Sequence, residues 1–346
     1  MFNAVARFIV AVCITGMVLW GCKGKEQRAG ANYADSTIVT GSNPLSSWKD
    51  GAAKQRILAY FKAATDSTNA GYVPVDKRLL VTDNDGTLWP EQPFPFQLIF
   101  TLDFIRANAA THPEWKNIPV VKAIVANDKA GLMKAGERGL MQAMFLAHSG
   151  MTTDQFDASV RQWIDTARDA RFHKRYTELV YQPMLELLEL AKKHRFRVFV
   201  VSGGGADFMR VWAPQAYGIP ASQVIGSYNA VKYEVKDGKP VLTKLPENIL
   251  PDDKQNKPVA IRQFIGQQPV ICLGNSDGDQ AMMQYTSANK YPSLCLIVKH
   301  TDSTREYQYD VHTLSGHLET ALKEAAQKNW LVVDMQKDFA KVFAWE

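Results

Sequence analysis

With 346 residues, of which 46% are hydrophobic and 22% charged, the chain has enough apolar side chains to close a full core, which excludes a disordered polymer. The formal charge of +5 is mild and no basic run is interleaved with aromatics, so no nucleic-acid partner is expected, while anionic small molecules would not be repelled. No internal repeat or low-complexity segment interrupts the chain, and no Cys/His spacing suggests zinc.

The amino terminus has the layout of a signal peptide. Arg7 precedes an apolar run from Phe8 to Trp20 that is too short to span a bilayer and stops at Leu19-Trp20-Gly21-Cys22, followed by Lys23. This pattern resembles a bacterial lipoprotein acylation site. The resemblance implies removal of residues 1–21, lipidation of Cys22 and, with lysine beside the cysteine, an outer-membrane lipoprotein facing the periplasm. Cleavage as a plain secretory signal would instead leave a soluble periplasmic protein. Residues 22–47 are small and polar and read as a tether.

An amphipathic helix is predicted over Ala52–Ala64, with Ile57, Leu58, Tyr60 and Phe61 on or near one face. The apolar strand Leu79–Thr82 then runs into Asp83-Asn84-Asp85-Gly86-Thr87-Leu88. Acids one residue apart in extended backbone point the same way, here at the carboxyl edge where open α/β sheets bind ligands. Hard oxygens of that kind suit Mg²⁺, whereas the plainer reading is a turn that ends a strand. Glu91 and Gln92 follow closely, placed either to read a substrate amine or to form a solvated turn before Pro93.

From residue 91 to 176 no strand signal appears. Apolar spacing predicts helices within Phe96–Ala109, Leu132–His148 and Thr153–Ala167, with Arg106 and Arg138 as candidate carboxylate binders or surface residues. The helix Met184–His194 leads into a buried strand, Phe196–Val201, which ends at Ser202-Gly203-Gly204-Gly205 before a helical stretch from Ala206 to Val211. A hydroxyl followed by glycines at a helix start is suited to anions, and Arg210 could brace that loop or touch phosphate. Tyr233–Leu242 reads as a hairpin turning at Asp237-Gly238, and Lys257 precedes Pro258 at an expected first helical position. The strand Pro269–Leu273 ends in the acid-rich loop Gly274-Asn275-Ser276-Asp277-Gly278-Asp279. Leu294–Val298 and Trp330–Val333 are further strands; His300 and Asp302 follow the first of these, either behind the site or in a solvated loop. Trp163, Trp212 and Trp330 read as core or interface residues.

The order Asp-x-Asp, Ser-Gly-Gly, Lys, Gly-Asn-x-x-x-Asp, running from Lys77 to Val298, resembles the haloacid dehalogenase superfamily, and within it the phosphoserine phosphatase branch. The resemblance implies an α/β fold: a Rossmann-like parallel sheet core from residues 48–90 and 177–346, with an inserted α-helical cap, residues 91–176, that closes over the catalytic loops. It implies Asp83 as nucleophile and Asp85 as the acid that protonates the leaving group and then activates water. Ser202, Gly203 and Gly204 would hold the phosphoryl oxygens, and Lys257 would offset negative charge. Mg²⁺ would bind Asp83, the Asp85 carbonyl and the fourth motif. Where that motif usually begins Gly-Asp, this chain has Gly274-Asn275, so Asn275 and Asp279 are the expected ligands and Asp277 is an additional acid.

Carbon–halogen displacement would leave Asp85 and the acidic fourth loop without a purpose, whereas phosphomonoester hydrolysis uses both. The expected activity is therefore Mg²⁺-dependent hydrolysis of small phosphomonoesters, phosphoserine-like or broad, through an aspartyl-phosphate. Two alternatives stand beside it: phosphotransfer from the same intermediate, and a catalytically weak surface lipoprotein that binds a phosphorylated ligand, suggested by Asn275. Cys272 and Cys295 lie in strands that the superfamily order makes neighbours, as buried thiols or as a disulfide.

Overall fold

Runs such as Leu79–Thr82 and Ile271–Gly274 are buried at every position and have no polar face to give to water, so they occupy the middle of a sheet covered on both sides. The computed structural model describes residues 43–346, apart from residue 314 and the side chains of residues 137 and 247–250. The leader, Cys22 and the tether up to residue 42 lie outside the described residues.

The elements in chain order are α1 (Ala52–Thr65), β1 (Leu79–Thr82), α2 (Phe96–Asn108), α3 (Pro119–Val125), α4 (Lys129–His148), α5 (Thr153–Thr166), α6 (Gln182–Lys193), β2 (Arg197–Gly205) and α7 (Ala206–Tyr217). There follow β3 (Val224–Lys236), β4 (Lys239–Leu250), α8 (Asn256–Ala260), β5 (Ile271–Gly274), α9 (Gln280–Ser287), β6 (Leu294–Lys299), α10 (Thr320–Lys328), β7 (Leu331–Asp334) and α11 (Met335–Asp338). Seven strands form one sheet in the order β4-β3-β2-β1-β5-β6-β7, parallel except for β4, which runs antiparallel to β3. Side-chain alternation sends Leu80, Val198 and Leu273 to one apolar layer and Leu79, Val81 and Cys272 to the other, so helices are needed on both faces. The chain leaves β1 toward β2 on one side and returns to β5 on the other. That reversal makes a crevice at the carboxyl ends of β1 and β5, where the Asp83 and Asn275 segments emerge.

The helices between β1 and β2 divide their allegiance. Leu98, Leu102, Ile105, Trp115, Val121 and Ile124 enclose a small separate core, whereas Phe156, Val160 and Ile164 of α5 join the main one. A reciprocal cap between Thr152 and Gln155 starts α5.

Several elements differ from their predicted bounds. The hairpin extends from Val224 to Leu250, because its first strand begins as a parallel sheet member, Val224 beside Val200, and only later departs with β4. The helix at Ala206 continues to Tyr217, where Gly218 adopts a left-handed φ of 60° and ends it. Pro258 is the third residue of α8 and not the first; its missing N–H costs nothing there, since first-turn donors have no intrahelical partner. Leu45 and Ser47, at the end of the stretch read as tether, are packed, with the Ser47 N–H and hydroxyl donating to Glu186. Cys272 and Cys295 face each other in register across β5 and β6 as buried free thiols, and burial pushes Cys295 up to about 12.

Candidate active site

Asp83 leaves the end of β1 with its N–H bound to the Leu273 carbonyl of β5, which fixes its carboxylate over the crevice. Lys257 reaches in from α8 and donates to Asp83 Oδ1 at 2.7 Å and to Asp279 Oδ1 at 2.6 Å. All three side chains are buried. Burial opposes the lysine charge, yet Asp279 and Asp83 hold Lys257 well above the usual lysine range. Burial, reinforced by the Asp279 charge, pushes Asp83 up to about 8 against the pull of Lys257.

The other oxygen of Asp279 accepts from the Asn275 N–H (2.9 Å) and the Ser276 N–H (3.1 Å), so this acid stiffens the loop after β5 and holds the lysine. Asn275 is also engaged: its carbonyl oxygen accepts from Thr87 at 3.1 Å and its amide donates to Glu91 Oε1 at 2.6 Å. Glu91 is 4% exposed and takes a second hydrogen bond on that oxygen from the Tyr309 hydroxyl, at 2.8 Å. Burial raises Glu91 well above the ordinary glutamate range. Gly86 has φ +74° and no space for a Cβ between Asn275 and Glu91, so the motif-one turn demands glycine there.

Asp85 Oδ1 accepts from the indole N–H of Trp89 at 2.7 Å, and burial raises its pKa. Trp89 is itself clamped by stacking on Trp212, with ring centroids 4.1 Å apart. The β2–β3 register breaks between Ser202 and Gly205, and the resulting bulge presents Ser202, Gly203 and Gly204 at the same sheet edge. A Cβ on Gly204 would lie 3.3 Å from Asp85 Oδ2 and 3.4 Å from Ser202 Oγ, so the glycine loop and the motif-one acids face one another. Gln97 at the start of α2 accepts from the Gly205 N–H at 2.6 Å and ties the helical insert to this loop.

The structure thus gathers Asp83, Asp85, Glu91, Ser202, Gly203, Gly204, Lys257, Asn275 and Asp279 about one crevice. Other candidates lie elsewhere or serve the frame. Asp277 caps α10, accepting from the Glu319, Thr320 and Ala321 N–H groups. Gln92 donates to the Ser315 carbonyl, Arg210 to the Val224 carbonyl, and Arg106 to Asp103 and the Ile124 carbonyl, while Arg138 is exposed. Asp302 holds Arg305 at 2.6 Å. His300 is not in a solvated loop: it is buried, and its Nε2 donates to the Gly86 carbonyl at 2.7 Å from behind the motif-one turn. Trp89, Gln97 and Tyr309 were not singled out by sequence. Of the three, Trp89 alone carries a local signal, four residues after Asp85.

Among the described residues, no group of three or more His, Cys, Asp and Glu side chains forms a ready metal cage. Asp83, Asp85 and Glu91 nevertheless each keep one carboxylate oxygen that no described protein donor reaches, the other being occupied by Lys257, Trp89 and Asn275 respectively. Asp83 and Glu91 are buried and Asp85 partly so, and their open oxygens set several hard donors beside a single lysine. That donor set fits a divalent cation such as Mg²⁺.

A family model of haloacid dehalogenase-like hydrolases matches residues 80–284, the stretch that carries β1, β2, α8, β5 and all of the crevice residues named above. Among solved structures, a conserved functionally unknown protein from Anaerococcus prevotii is similar at 14% identity over 80% of this chain and 88% of that one, with a TM-score of 0.49. A phosphoserine phosphohydrolase-like protein from Francisella tularensis is similar at 16% identity over 72% and 98%, with a TM-score of 0.38. Cytosolic 5′-nucleotidase IIIB bound to cytidine is similar at 13% identity over 83% and 87%, with a TM-score of 0.41. A comparison with curated proteins finds no match. With more than half of its length matched, and with the Asp83, Ser202, Lys257 and Asn275 segments meeting at one sheet edge, the chain belongs to the haloacid dehalogenase-like hydrolase family.

Proposed function

We propose that the chain is a Mg²⁺-dependent phosphomonoester hydrolase that works through an aspartyl-phosphate on Asp83. One observation carries this reading: Asp83 is pinned through Oδ1 by the buried Lys257, while no described residue donates to its other oxygen, and Asp85, close enough for its charge to act on Asp83, faces the Ser202–Gly204 bulge. In the first step that oxygen attacks phosphorus and the ester P–O bond breaks; Asp85, whose proton is retained by burial, gives it to the departing alkoxide. In the second step Asp85, now a carboxylate, takes a proton from water as the water oxygen attacks phosphorus, and the Asp83 carboxylate is released with inorganic phosphate. Lys257 and the Ser202–Gly204 backbone offset charge on the phosphoryl oxygens throughout. A cation held by Asp83 and its neighbours would supply further charge neutralisation at phosphorus. Trp89 keeps Asp85 aimed, and His300 braces the turn between the two acids from behind.

Small phosphorylated metabolites, phosphoserine among them, are the proposed substrate class, since Gln97 couples the helical insert to the phosphate loop and lets the insert screen the leaving group. We also place the protein outside the cytoplasm on a lipid at Cys22; labelled palmitate incorporated by the wild type and lost in Cys22→Ala tests this. The catalytic reading is tested by phosphate release from a panel of small phosphomonoesters with Mg²⁺ or EDTA. Substrates with alkyl leaving groups are expected to need Asp85 more than aryl phosphates, and inclusion of an alcohol acceptor separates hydrolysis from phosphotransfer.

A further inference from the structure

Position 275, where an acid would be expected beside the cation, holds an amide whose two polar atoms are both committed within the protein, the oxygen to Thr87 and the nitrogen to Glu91. Asp279 is equally committed, to Lys257 on one side and to two backbone N–H groups on the other. Neither therefore brings an uncompensated charge to a cation: the Asn275 amide is neutral, and Asp279 is ion-paired with Lys257. Glu91 is in the opposite condition. Its Oε1 is clamped by Asn275 and Tyr309, which fixes the carboxylate plane, and no described residue donates to Oε2. It is close enough to Asp85 and Asp83 for their charges to act on it, and it shares the wall of the Gly86 turn with Asn275. Gly316 tightens the arrangement from the far side, since a Cβ there would run into Glu91 and Tyr309.

From this we infer that Glu91, through Oε2, supplies the carboxylate arm of the divalent-cation site that position 275 does not, with Asn275 and Tyr309 acting as the residues that aim it. The inference rests on the proposed cation-dependent chemistry, and it gives the Asn275 amide a purpose. A carboxylate at 275 would stand 2.6 Å from Glu91 and repel it, whereas the amide donates to Glu91 and leaves it the charged partner. It also replaces the role for Glu91 of reading a substrate amine, because a side chain 4% exposed beneath Tyr309 has little face to offer a substrate.

The test is a two-residue cycle read by cation binding and not by turnover: Mn²⁺ titration followed by electron paramagnetic resonance, with Mg²⁺ competition, on the full chain. Glu91→Gln keeps an Oε1 acceptor for Asn275 and Tyr309 and replaces Oε2 with an amide nitrogen that cannot ligate a cation; it is expected to weaken Mn²⁺ binding by about tenfold or more, with its metal-free melting curve showing that it folds. Asn275→Asp in the Glu91→Gln background is expected to regain most of that loss, and it keeps the test decisive if the single variant folds poorly. Asn275→Asp alone is expected to lower the metal-free melting temperature and to have it restored by Mg²⁺. Unchanged Mn²⁺ affinity in Glu91→Gln, accompanied by a raised KM for amine-bearing substrates, would overturn the inference in favour of an amine-reading Glu91. Equal gains from Asn275→Asp with and without Glu91 would overturn it in favour of position 275 as the ligand. A wild type that binds no Mn²⁺ would instead remove the cation-dependent reading on which both stand.

Discussion

Two lysines, Lys244 and Lys257, are each 2% exposed and sit in ion clusters of opposite character. At the interface of β4, α5 and α7, Lys244 is 2% exposed and ion-paired with Asp207, which also faces Arg210, and the Lys244 ammonium lies 4.6 Å from the centre of the Phe156 ring. In that cluster the carboxylate has two cations and is partly open to water. In the crevice, Lys257 alone serves Asp83 and Asp279, with Asp85 and Glu91 nearby, and three carboxylate oxygens have no donor among the described residues. The proposed cation-dependent chemistry would use that surplus of acid, whereas the Lys244 cluster needs nothing from outside to balance it.

The two clusters should respond oppositely to substitution. Asp83→Asn is expected to lower turnover on the order of 10³-fold or more while raising the metal-free melting temperature, because it removes a charge that burial disfavours. Lys244→Met should do the reverse, costing about 1–3 kcal/mol of stability with kcat for a simple aryl phosphate unchanged, as read by denaturant melts and phosphate release. Asp85→Asn is expected to cost about 10²–10⁴-fold on alkyl phosphates and far less on aryl phosphates, whose leaving groups need no proton. Trp89→Phe keeps most of the stacking on Trp212 but removes the indole donor from Asp85, and a loss of about tenfold in kcat, confined to alkyl substrates, is expected.

The smallest effect is on pH. Asp83, raised to about 8, and Asp252, which burial raises to about 7, bind protons in the folded state that they have lost in the unfolded one. The metal-free protein should therefore lose stability as pH rises from 6.5 to 8.5, by roughly a few degrees in melting temperature. His148, which burial lowers to about 3, acts in the other sense but only below its unfolded value near 6.5, outside that window. Mg²⁺ should flatten the slope, and Asp83→Asn should reduce it.

The strands were legible where burial on two faces leaves a continuous apolar run: Leu79–Thr82, Phe196–Val201, Pro269–Leu273 and Leu294–Val298 all lie in or overlap sheet strands. Asp83, Lys257 and Asp279 were legible because their order along the chain carries a signal that the crossovers of a parallel sheet preserve. Tyr309, Gln97 and His300 were not, since they meet Glu91, Gly205 and Gly86 across 218, 108 and 214 residues, and no local pattern records such contacts. The departure of β3 from parallel strand to hairpin arm was hidden for a related reason. Its sheet portion, Val224–Gly226, is too short to stand out as a period, and the arm beyond carries Tyr233 and Val235 exposed.

Whether Asp83 is the nucleophile of a cation-dependent phosphatase is decided by phosphate release from small phosphomonoesters by wild type and Asp83→Asn, each with Mg²⁺ and with EDTA. Release is expected to require Mg²⁺ and to disappear in the variant. Release that survives in Asp83→Asn, or no release from any ester with any divalent cation, would contradict it.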